Sequence, residues 1–184
     1  RNLLLALAAV EGLLGPSFAA VDDDVIREGV AAVRIPGRLE VVREDPTVVL
    51  DGAHNPHAAR ALAAALAESF RFRDVILVFG CLADKDVDGM LAALAPVASH
   101  VIVTGAPSER SVEPAQLRDI AAGVFGPRGV HVEVADTVAD AVDLATSITG
   151  AADAVLVTGS VTVVGAAREH LVPSDVMRAD EPDA

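Results

Sequence analysis

The residues best suited to chemistry lie in one short segment, residues 51–56 with the sequence DGAHNP, between an apolar β-branched run and a helical pattern. Asn55 can cap that helix, and Pro56 suits its first position because a missing N–H costs nothing there. Asp51 and His54 are not needed for capping. A carboxylate at the carboxyl end of a strand can accept hydrogen bonds from both ribose hydroxyls of a nucleotide. We therefore predict that Asp51 contacts a nucleotide and that His54 has a functional role beside it.

The sequence around this segment alternates between short apolar strands and helices. Strands are predicted at residues 47–50, 75–79, 101–104, 130–134 and 154–158, and helices at 56–69, 87–94, 114–124, 138–148 and from about 161. The run VILVF at 75–79 is apolar on both faces, which is typical of a parallel strand covered by helices on both sides. The pattern predicts an α/β fold, a three-layer, doubly wound and mostly parallel sheet. Functional loops are expected at the carboxyl ends of its strands.

Three parts are predicted along the chain. Residues 1–35 contain helical patterns at 2–14 and about 21–32, and end before Pro36-Gly37, a pair that usually interrupts regular structure. Residues 36–172 form the α/β domain, which opens with an edge strand or hairpin arm at 38–42. Residues 173–184 are rich in Asp, Glu and Pro and are expected to be a solvated tail. The apolar start also resembles a signal peptide, but the helical spacing of its apolar residues favours an amphipathic helix.

The composition argues against whole classes of partner. The net charge is −13 and no cluster of Lys or Arg interrupts it, so a nucleic-acid partner is not expected. No apolar run is judged to reach the roughly 20 residues that span a bilayer, so no membrane partner is expected either. Cys81 is the one cysteine of the sequence, which rules out an intrachain disulfide and indicates a reducing cytoplasm. We expect Cys81 to be a small buried apolar residue rather than a nucleophile.

Three motifs, in this order and spacing, resemble those of one enzyme family. They are PGRLE at residues 36–40, DGAHNP at 51–56, and GS at 159–160 followed by VG at 164–165. Over about residues 35–172 they resemble the folylpolyglutamate synthase/dihydrofolate synthase family of the Mur ligase superfamily. The DGAHNP element alone is typical of the superfamily, and the other two narrow the likeness to its folate branch. Residues 1–35 resemble the end of that family's central ATPase domain, and residues 36–172 its Rossmann-like C-terminal domain.

The resemblance implies a role for each matching residue. Arg38 would reach the nucleotide phosphates, for which its permanent charge and forked donors are suited. Asp51 would hold the ribose, and Asn55 would complete the nucleotide-binding segment. His54 and Ser160 would be the catalytic pair, because both can donate and accept hydrogen bonds while orienting the incoming glutamate or the terminal phosphate.

Some of these residues are equally compatible with a purely structural role. Arg38 could be an exposed side chain on an edge strand, and Ser160 could be an ordinary helix N-cap. Lys85, in the loop at 80–86, is expected to attract a substrate carboxylate, since the family carries a similar Lys-Asp pair there. A lone loop lysine is usually just solvated, and Arg110, in the next loop, is a weaker candidate of the same kind.

The sequence contains no Gly-x-x-x-x-Gly-Lys-Ser/Thr loop, so nothing in it is expected to hold the β- and γ-phosphates of ATP or to place Mg²⁺. In the family's reaction a carboxylate attacks the γ-phosphate of MgATP, and glutamate captures the acyl phosphate. The resemblance implies ATP, L-glutamate and a folate or dihydropteroate as partners, with the Mg²⁺ ligands in a missing N-terminal ATPase domain. We expect this chain to be a closing lid, with Pro36-Gly37 as its hinge, and to be inactive alone.

The sequence is also compatible with functions outside the folate branch. The chain could be part of another Mur-type amino-acid ligase, a non-catalytic nucleotide-binding or phospho-receiver domain that uses Asp51, or an autonomous structural fragment. A receiver needs an acidic pair after an early strand, and a dinucleotide-dependent oxidoreductase needs a Gly-x-Gly-x-x-Gly turn; neither occurs here. The sequence does not distinguish addition of the first glutamate from extension of a polyglutamate tail.

Overall fold

The computed structural model describes residues 2–172 of the 184-residue chain. The predicted acidic tail at 173–184 lies outside the described residues. The chain divides into two compact units, the first ending at Ile35 and the second beginning at Pro36.

The first unit is helical. Its elements are α1 (Asn2–Leu14), a 3₁₀ helix (Gly15–Ala20) and α2 (Asp23–Ala32). α2 begins later than the predicted residue 21, because the Asp22 side chain accepts a hydrogen bond from the Asp24 N–H at 2.8 Å and so caps the helix. The sequence predicts an amphipathic α1, but within this unit the helix has no buried face: Leu7 is half-buried and residues 3–6 and 8–14 are exposed.

The segment Leu3–Ala20 is long and apolar enough to cross a membrane, judged on length and composition alone. The prediction that no apolar run is long enough therefore does not hold for this segment. Core helices of soluble proteins and signal sequences satisfy the same criterion, so the observation is weak evidence for a membrane span.

The second unit is a six-stranded sheet between two layers of helices. Its strands are β1 (Glu40–Glu44), β2 (Thr47–Leu50), β3 (Val75–Phe79), β4 (His100–Thr104), β5 (His131–Ala135) and β6 (Ala154–Thr158). Its helices are α3 (Pro56–Ser69), α4 (Val87–Leu94), α5 (Pro114–Phe125), a 3₁₀ turn (Gly126–Arg128), α6 (Val138–Ile148) and α7 (Val161–Leu171). The strand order is β1-β2-β6-β3-β4-β5, with β1 antiparallel to β2 and the other pairs parallel. The predicted α/β fold with a mostly parallel sheet is confirmed.

The sheet is apolar on both faces because successive residues of a strand point into different helical layers. In β3, Leu77 and Phe79 pack with α3, α4 and α5, whereas Ile76 and Val78 pack with α6 and α7. Burying one such side chain contributes about 1.5–3 kcal/mol. This two-sided burial fixes the strands, and with them the loops at their ends.

The loops after the parallel strands lie at one edge of the sheet. β2 leads into α3 and the neighbouring β6 leads into α7, and these two helices cover opposite faces. In open α/β sheets, ligands bind at the strand ends where neighbouring strands lead into helices on opposite faces, and we call this part of the sheet edge the crevice. The segment 51–56 and Ser160 both lie at this crevice.

One predicted boundary needs correction, and it concerns a predicted site residue. β1 begins at Glu40 rather than at residue 38, so Arg38 lies in a turn before the strand. Gly37 and Leu39 have φ angles of 65° and 46°, in the left-handed region, which an extended strand cannot include. The interpretation of Arg38 as an edge-strand residue is therefore wrong.

Candidate functional site

Asp51 lies directly after β2 and holds two neighbouring backbone groups. Its Oδ1 accepts the Ala53 N–H and its Oδ2 accepts the Leu39 N–H, each at 2.9 Å. The side chain is half-buried. A carboxylate offers about four lone-pair positions, so each oxygen can accept a further hydrogen bond. The protein thus orients the Asp51 carboxylate and leaves it capacity for hydroxyl groups of a ligand.

The Arg38 guanidinium lies against the backbone of the loop that follows β2. A Cβ atom at Gly52 would lie 3.1 Å from Arg38 Nη1, and the Gly52 N–H donates to the Gly37 carbonyl at 2.8 Å. Arg38 is exposed, and within residues 2–172 it makes no ion pair. A permanent positive charge without a carboxylate partner is available to an anionic ligand.

His54 and Asn55 have defined orientations in the same loop. His54 Nδ1 lies 2.9 Å from the Gly52 carbonyl oxygen, and because that oxygen can only accept, Nδ1 carries the proton in this contact. Nε2 is left to accept a hydrogen bond, or to donate one when the ring is protonated. The Asn55 side chain accepts the Ala58 N–H at 2.9 Å and Pro56 occupies the first turn, so the predicted cap of α3 is confirmed.

Ser160 follows β6 and caps α7. Its Oγ accepts the Thr162 N–H at 3.2 Å and lies 2.8 Å from the Thr162 hydroxyl oxygen. The side chain is buried, and the N-cap alone explains a serine at this position. The amino-terminal end of α7, which carries a partial positive charge, lies beside Gly52. A Cβ atom at Gly52 would lie 3.3 Å from Val161 Cγ2.

The loops after β2, β6 and β3 are in direct contact. The Gly159 N–H donates to the Ala53 carbonyl at 3.1 Å, and a Cβ atom at Gly159 would lie only 2.6 Å from the Gly80 carbonyl oxygen. Gly159 has a φ of 105°. The conformation and the close contact both require glycine here, and they place Ser160 beside the segment 51–56.

Lys85 lies in the loop after β3 and is paired with its sequence neighbour. Its Nζ lies 2.8 Å from Asp84 Oδ2, and Arg110 Nη1 lies 3.9 Å from Asp84 Oδ1. The hydrogen bond from Lys85 holds the pKa of Asp84 below its usual value. The loop approaches α3 through Gly89, where a Cβ atom would lie 2.8 Å from Pro56 Cγ. Among the described residues, Lys85 makes no hydrogen bond to the other predicted site residues.

Two residues without a predicted role also reach this site. The Glu40 carboxylate accepts the Gly37 N–H at 2.7 Å and pairs with Arg168, whose Nε lies 3.0 Å from Glu40 Oε1. In the sequence, the glutamate of the PGRLE motif is the only feature that points to the contact between Glu40 and Arg168. Its partner lies 128 residues further along the chain, so the pairing depends on the tertiary fold.

Cys81 is fully buried, as predicted for a small apolar residue. Burial, and to a smaller extent the Asp84 carboxylate, raises the pKa of the Cys81 thiol to about 12. We expect the native chain not to react with Ellman's reagent at mildly alkaline pH and to react stoichiometrically once unfolded, because the attacking species is the thiolate. Stoichiometric labelling of the folded chain would contradict both the burial and the raised pKa.

Within residues 2–172, no group of three or more His, Cys, Asp or Glu side chains is arranged to hold a metal ion. The described residues therefore do not fit a Mg²⁺ site of their own.

A separate cleft of about 390 Å³ lies between the loops after β4 and β5. It is lined by Gly105, Ala106, Pro107, Asp136, Thr137, Val138, Ala139 and Ala166. None of the predicted site residues is among them.

An acceptor carboxylate, an arginine without an ion pair in residues 2–172 and a capped helix N-terminus at the crevice of a doubly wound sheet are typical of nucleotide-handling α/β domains. Comparison with known proteins narrows that class. The family described as Mur ligase, glutamate ligase domain matches residues 37–161. The chain belongs to this family. Its membership favours neither the phospho-receiver interpretation nor the oxidoreductase interpretation.

The chain is similar to folate-branch members of this superfamily. It is 44% identical to the dihydrofolate synthase/folylpolyglutamate synthase of Mycobacterium tuberculosis, over 91% of this chain and 37% of the relative. A crystal structure of M. tuberculosis folylpolyglutamate synthase complexed with ADP matches with a TM-score of 0.84 and 43% identity, covering 92% of this chain and 39% of that one. A bifunctional folylpolyglutamate synthase/dihydrofolate synthase with Mn, AMPPNP and L-glutamate bound matches with a TM-score of 0.72 and 32% identity, over 82% of this chain and 35% of that one.

The chain thus spans little more than a third of the length of these relatives and corresponds to the C-terminal domain of folylpolyglutamate synthases. Because the structural match covers 92% of the chain, it extends into the first 35 residues. The helical first unit is therefore part of what the chain shares with the relatives.

Proposed function

We propose that this chain is the C-terminal lid domain of an ATP-dependent ligase that adds L-glutamate to dihydropteroate or tetrahydrofolate through an acyl phosphate. The observation that carries the proposal is the grouping of Arg38 and Asp51 around Gly52, in a chain 44% identical to a dihydrofolate synthase/folylpolyglutamate synthase. One relative binds ADP, and another binds a nucleotide analogue together with L-glutamate.

The nucleotide is held from the loop after β2. Asp51 accepts the ribose hydroxyls with the lone pairs that its contacts to Leu39 and Ala53 leave free. Arg38 contacts the phosphates, since its guanidinium lies beside Gly52, the residue after Asp51, and makes no ion pair within the described residues. Asn55 supports both contacts because it caps α3 and so fixes the end of the loop between β2 and α3.

Glutamate and the transferred phosphate are oriented by one residue from each of the loops after β2, β6 and β3. His54 uses Nε2 as the free hydrogen-bonding position of its ring, and Ser160 contributes its hydroxyl and the end of α7. Lys85, with Asp84 beside it, attracts a carboxylate of glutamate from the neighbouring loop.

The reaction joins two steps. A carboxylate oxygen of the pterin substrate attacks the γ-phosphorus of ATP while the bond to the β-phosphate oxygen breaks, which releases ADP. The amino group of glutamate then attacks the acyl carbon, phosphate leaves, and the ammonium loses a proton as the amide forms. Residues of another domain would hold Mg²⁺, and that ion would supply positive charge against the phosphates. This domain closes over the acyl phosphate and excludes water, because hydrolysis would compete with amide formation.

The same proposal covers the remaining partners. Residues 1–35 are the end of the central ATPase domain, with residues 36–172 as the ligase domain and Pro36-Gly37 as the hinge. We place the enzyme in the cytoplasm, in keeping with its single cysteine. Nucleic acid is not among its partners, in keeping with its acidic charge.

The test is ATP-dependent incorporation of labelled glutamate into dihydropteroate and into a reduced folate. Two proteins are compared: this chain alone, and the same chain joined to the N-terminal part that completes the length of its relatives, here called the complete enzyme. We expect no incorporation by the chain alone and ATP-dependent incorporation by the complete enzyme. Incorporation by the chain alone would contradict the lid role.

A substrate panel separates the folate ligase from another Mur-type ligase. A well-folded complete enzyme that ignores both folate substrates but ligates an amino acid to a cell-wall precursor would overturn the folate assignment. The ratio of the rates with dihydropteroate and with reduced folate then shows whether the enzyme adds the first glutamate, extends the tail, or does both.

A further inference from the structure

The turn that carries Arg38 has a backbone conformation that needs support. Gly37 and Leu39 flank Arg38, and both have positive φ angles, 65° and 46°. For Leu39 this is a strained conformation, because the Cβ atom crowds the backbone in the left-handed region. Strained backbone persists where surrounding contacts hold it.

Three hydrogen bonds hold this turn. The Gly37 carbonyl accepts the Gly52 N–H at 2.8 Å, and the Leu39 N–H donates to Asp51 at 2.9 Å. Both of these partners belong to the nucleotide loop itself. The third bond comes from outside that loop: the Gly37 N–H donates to Glu40 Oε2 at 2.7 Å.

Glu40 is held in turn by Arg168 of α7. Arg168 Nε lies 3.0 Å from Oε1 and 3.3 Å from Oε2 of Glu40, and the two side chains are only 12% and 21% exposed. A charge-assisted bond with so little contact with solvent is stronger than a surface ion pair. α7 also supports the turn directly, since a Cβ atom at Gly37 would lie 2.8 Å from Val164 Cγ1.

We propose that Glu40 and Arg168 are positioning residues, whose ion pair holds the Gly37 N–H and so fixes the turn that presents Arg38 to the nucleotide phosphates. The inference rests on the proposed function of Arg38. A turn that is already ordered loses less conformational freedom when the nucleotide binds. α7 also begins at the Ser160 cap, so the ion pair ties the Arg38 turn to the element that carries the opposite side of the crevice.

The kinetic test uses Glu40→Gln, Glu40→Ala and Arg168→Met in the complete enzyme. Glu40→Ala removes both the charge and the acceptor for Gly37, and is expected to raise the KM for ATP about tenfold, the equivalent of one charge-assisted hydrogen bond. Glu40→Gln keeps an acceptor oxygen and is expected to have a smaller effect. The KM for glutamate and kcat at saturating ATP are expected to stay near the wild-type values. The double variant Glu40→Gln/Arg168→Met is expected to be no worse than Arg168→Met alone, because both substitutions remove the same ion pair.

The chain offers a matched control at the opposite end of the sheet. Asp153 Oδ2 likewise accepts a glycine N–H, that of Gly150 at 3.0 Å, and an arginine, Arg73 Nη2 at 2.9 Å. Asp153→Asn and Arg73→Met remove an ion pair of the same type far from the crevice along β6, although Arg73 is 70% exposed and Arg168 only 12%. They are expected to lower stability, by less for Arg73→Met because that arginine is exposed, and to leave the KM for ATP unchanged. An equal rise in KM in these controls would mean that Glu40 and Arg168 have a merely structural role.

A second measurement needs no activity. Amide hydrogen exchange of this chain, followed by NMR, is expected to accelerate at Gly37 and Leu39 in Glu40→Ala and to stay unchanged at Gly150. Unchanged exchange at Gly37 would overturn the proposal. The proposal would also be overturned if Glu40→Ala shows faster exchange at Gly37 but a normal KM for ATP, while Arg38→Ala raises that KM. This outcome would leave the proposed function intact. A normal KM for ATP in Arg38→Ala itself would instead remove the proposed role of Arg38 and this inference with it.

Discussion

Replacing Asp51 with alanine in the complete enzyme is expected to raise the KM for ATP about a hundredfold, with a much smaller change in the KM for glutamate. Two losses combine. The ribose loses its acceptor, and the Leu39 N–H, which donates to Asp51 at 2.9 Å, loses its anchor. One charge-assisted hydrogen bond is worth about 1.5–3 kcal/mol, or tenfold to a hundredfold, so two losses place the result at the upper end of this range.

Initial rates at varied ATP and saturating glutamate, and at varied glutamate and saturating ATP, measure the two constants separately. Asp51→Asn keeps one acceptor oxygen and is expected to fall between the wild type and Asp51→Ala. His54→Ala is the comparison within the same loop, and it is expected to impair glutamate use or turnover by about tenfold while the KM for ATP changes little. Wild-type kinetics in both alanine variants would remove the site assignment.

The parts of this site that follow from local sequence could be predicted. The cap of α3 by Asn55, with Pro56 in the first turn, depends on residues that are neighbours in the chain. The parallel sheet follows from strands such as β3 that are apolar at every position, because both faces of such a strand must be covered. Once those strands are placed, chain direction alone brings residues 51–56 and Ser160 to the same edge.

The parts that depend on tertiary contacts could not be predicted. The left-handed conformation of Leu39 exists because the loop after β2 and the Glu40–Arg168 pair hold the turn, and no propensity of the sequence PGRLE indicates it. The sequence pattern therefore places Arg38 on a strand that in fact begins two residues later. Nor does the sequence pattern show that Lys85 donates a hydrogen bond to its neighbour Asp84.

The buried face predicted for α1 is a third case of this kind. The helical spacing of its apolar residues indicates a helix, which the structure has. Spacing cannot show which surface covers the apolar residues, and within the first unit almost the whole helix is exposed. The match of relatives nearly three times as long supports the proposal that residues 1–35 complete a larger domain.

Replacing Gly159 with alanine is expected to lower the free energy of unfolding of this chain by about 3 kcal/mol or more. A Cβ atom there would lie 2.6 Å from the Gly80 carbonyl oxygen and 2.8 Å from Phe79 Cε2. The Phe79 side chain is fully buried, so it has no open space into which to move. The φ of 105° adds backbone strain for any residue that has a Cβ atom.

Gly123→Ala is the matched control, measured like Gly159→Ala by urea unfolding of the chain. Gly123 lies within α5, with no atom within 4 Å of the position of a Cβ, so alanine there is expected to raise the free energy of unfolding by about 0.5–1 kcal/mol. A Gly159→Ala chain as stable as the wild type would show that the loops after β6 and β3 do not pack as described. Since Ser160 follows Gly159 directly, the same result would also weaken the placement of Ser160 beside the segment 51–56.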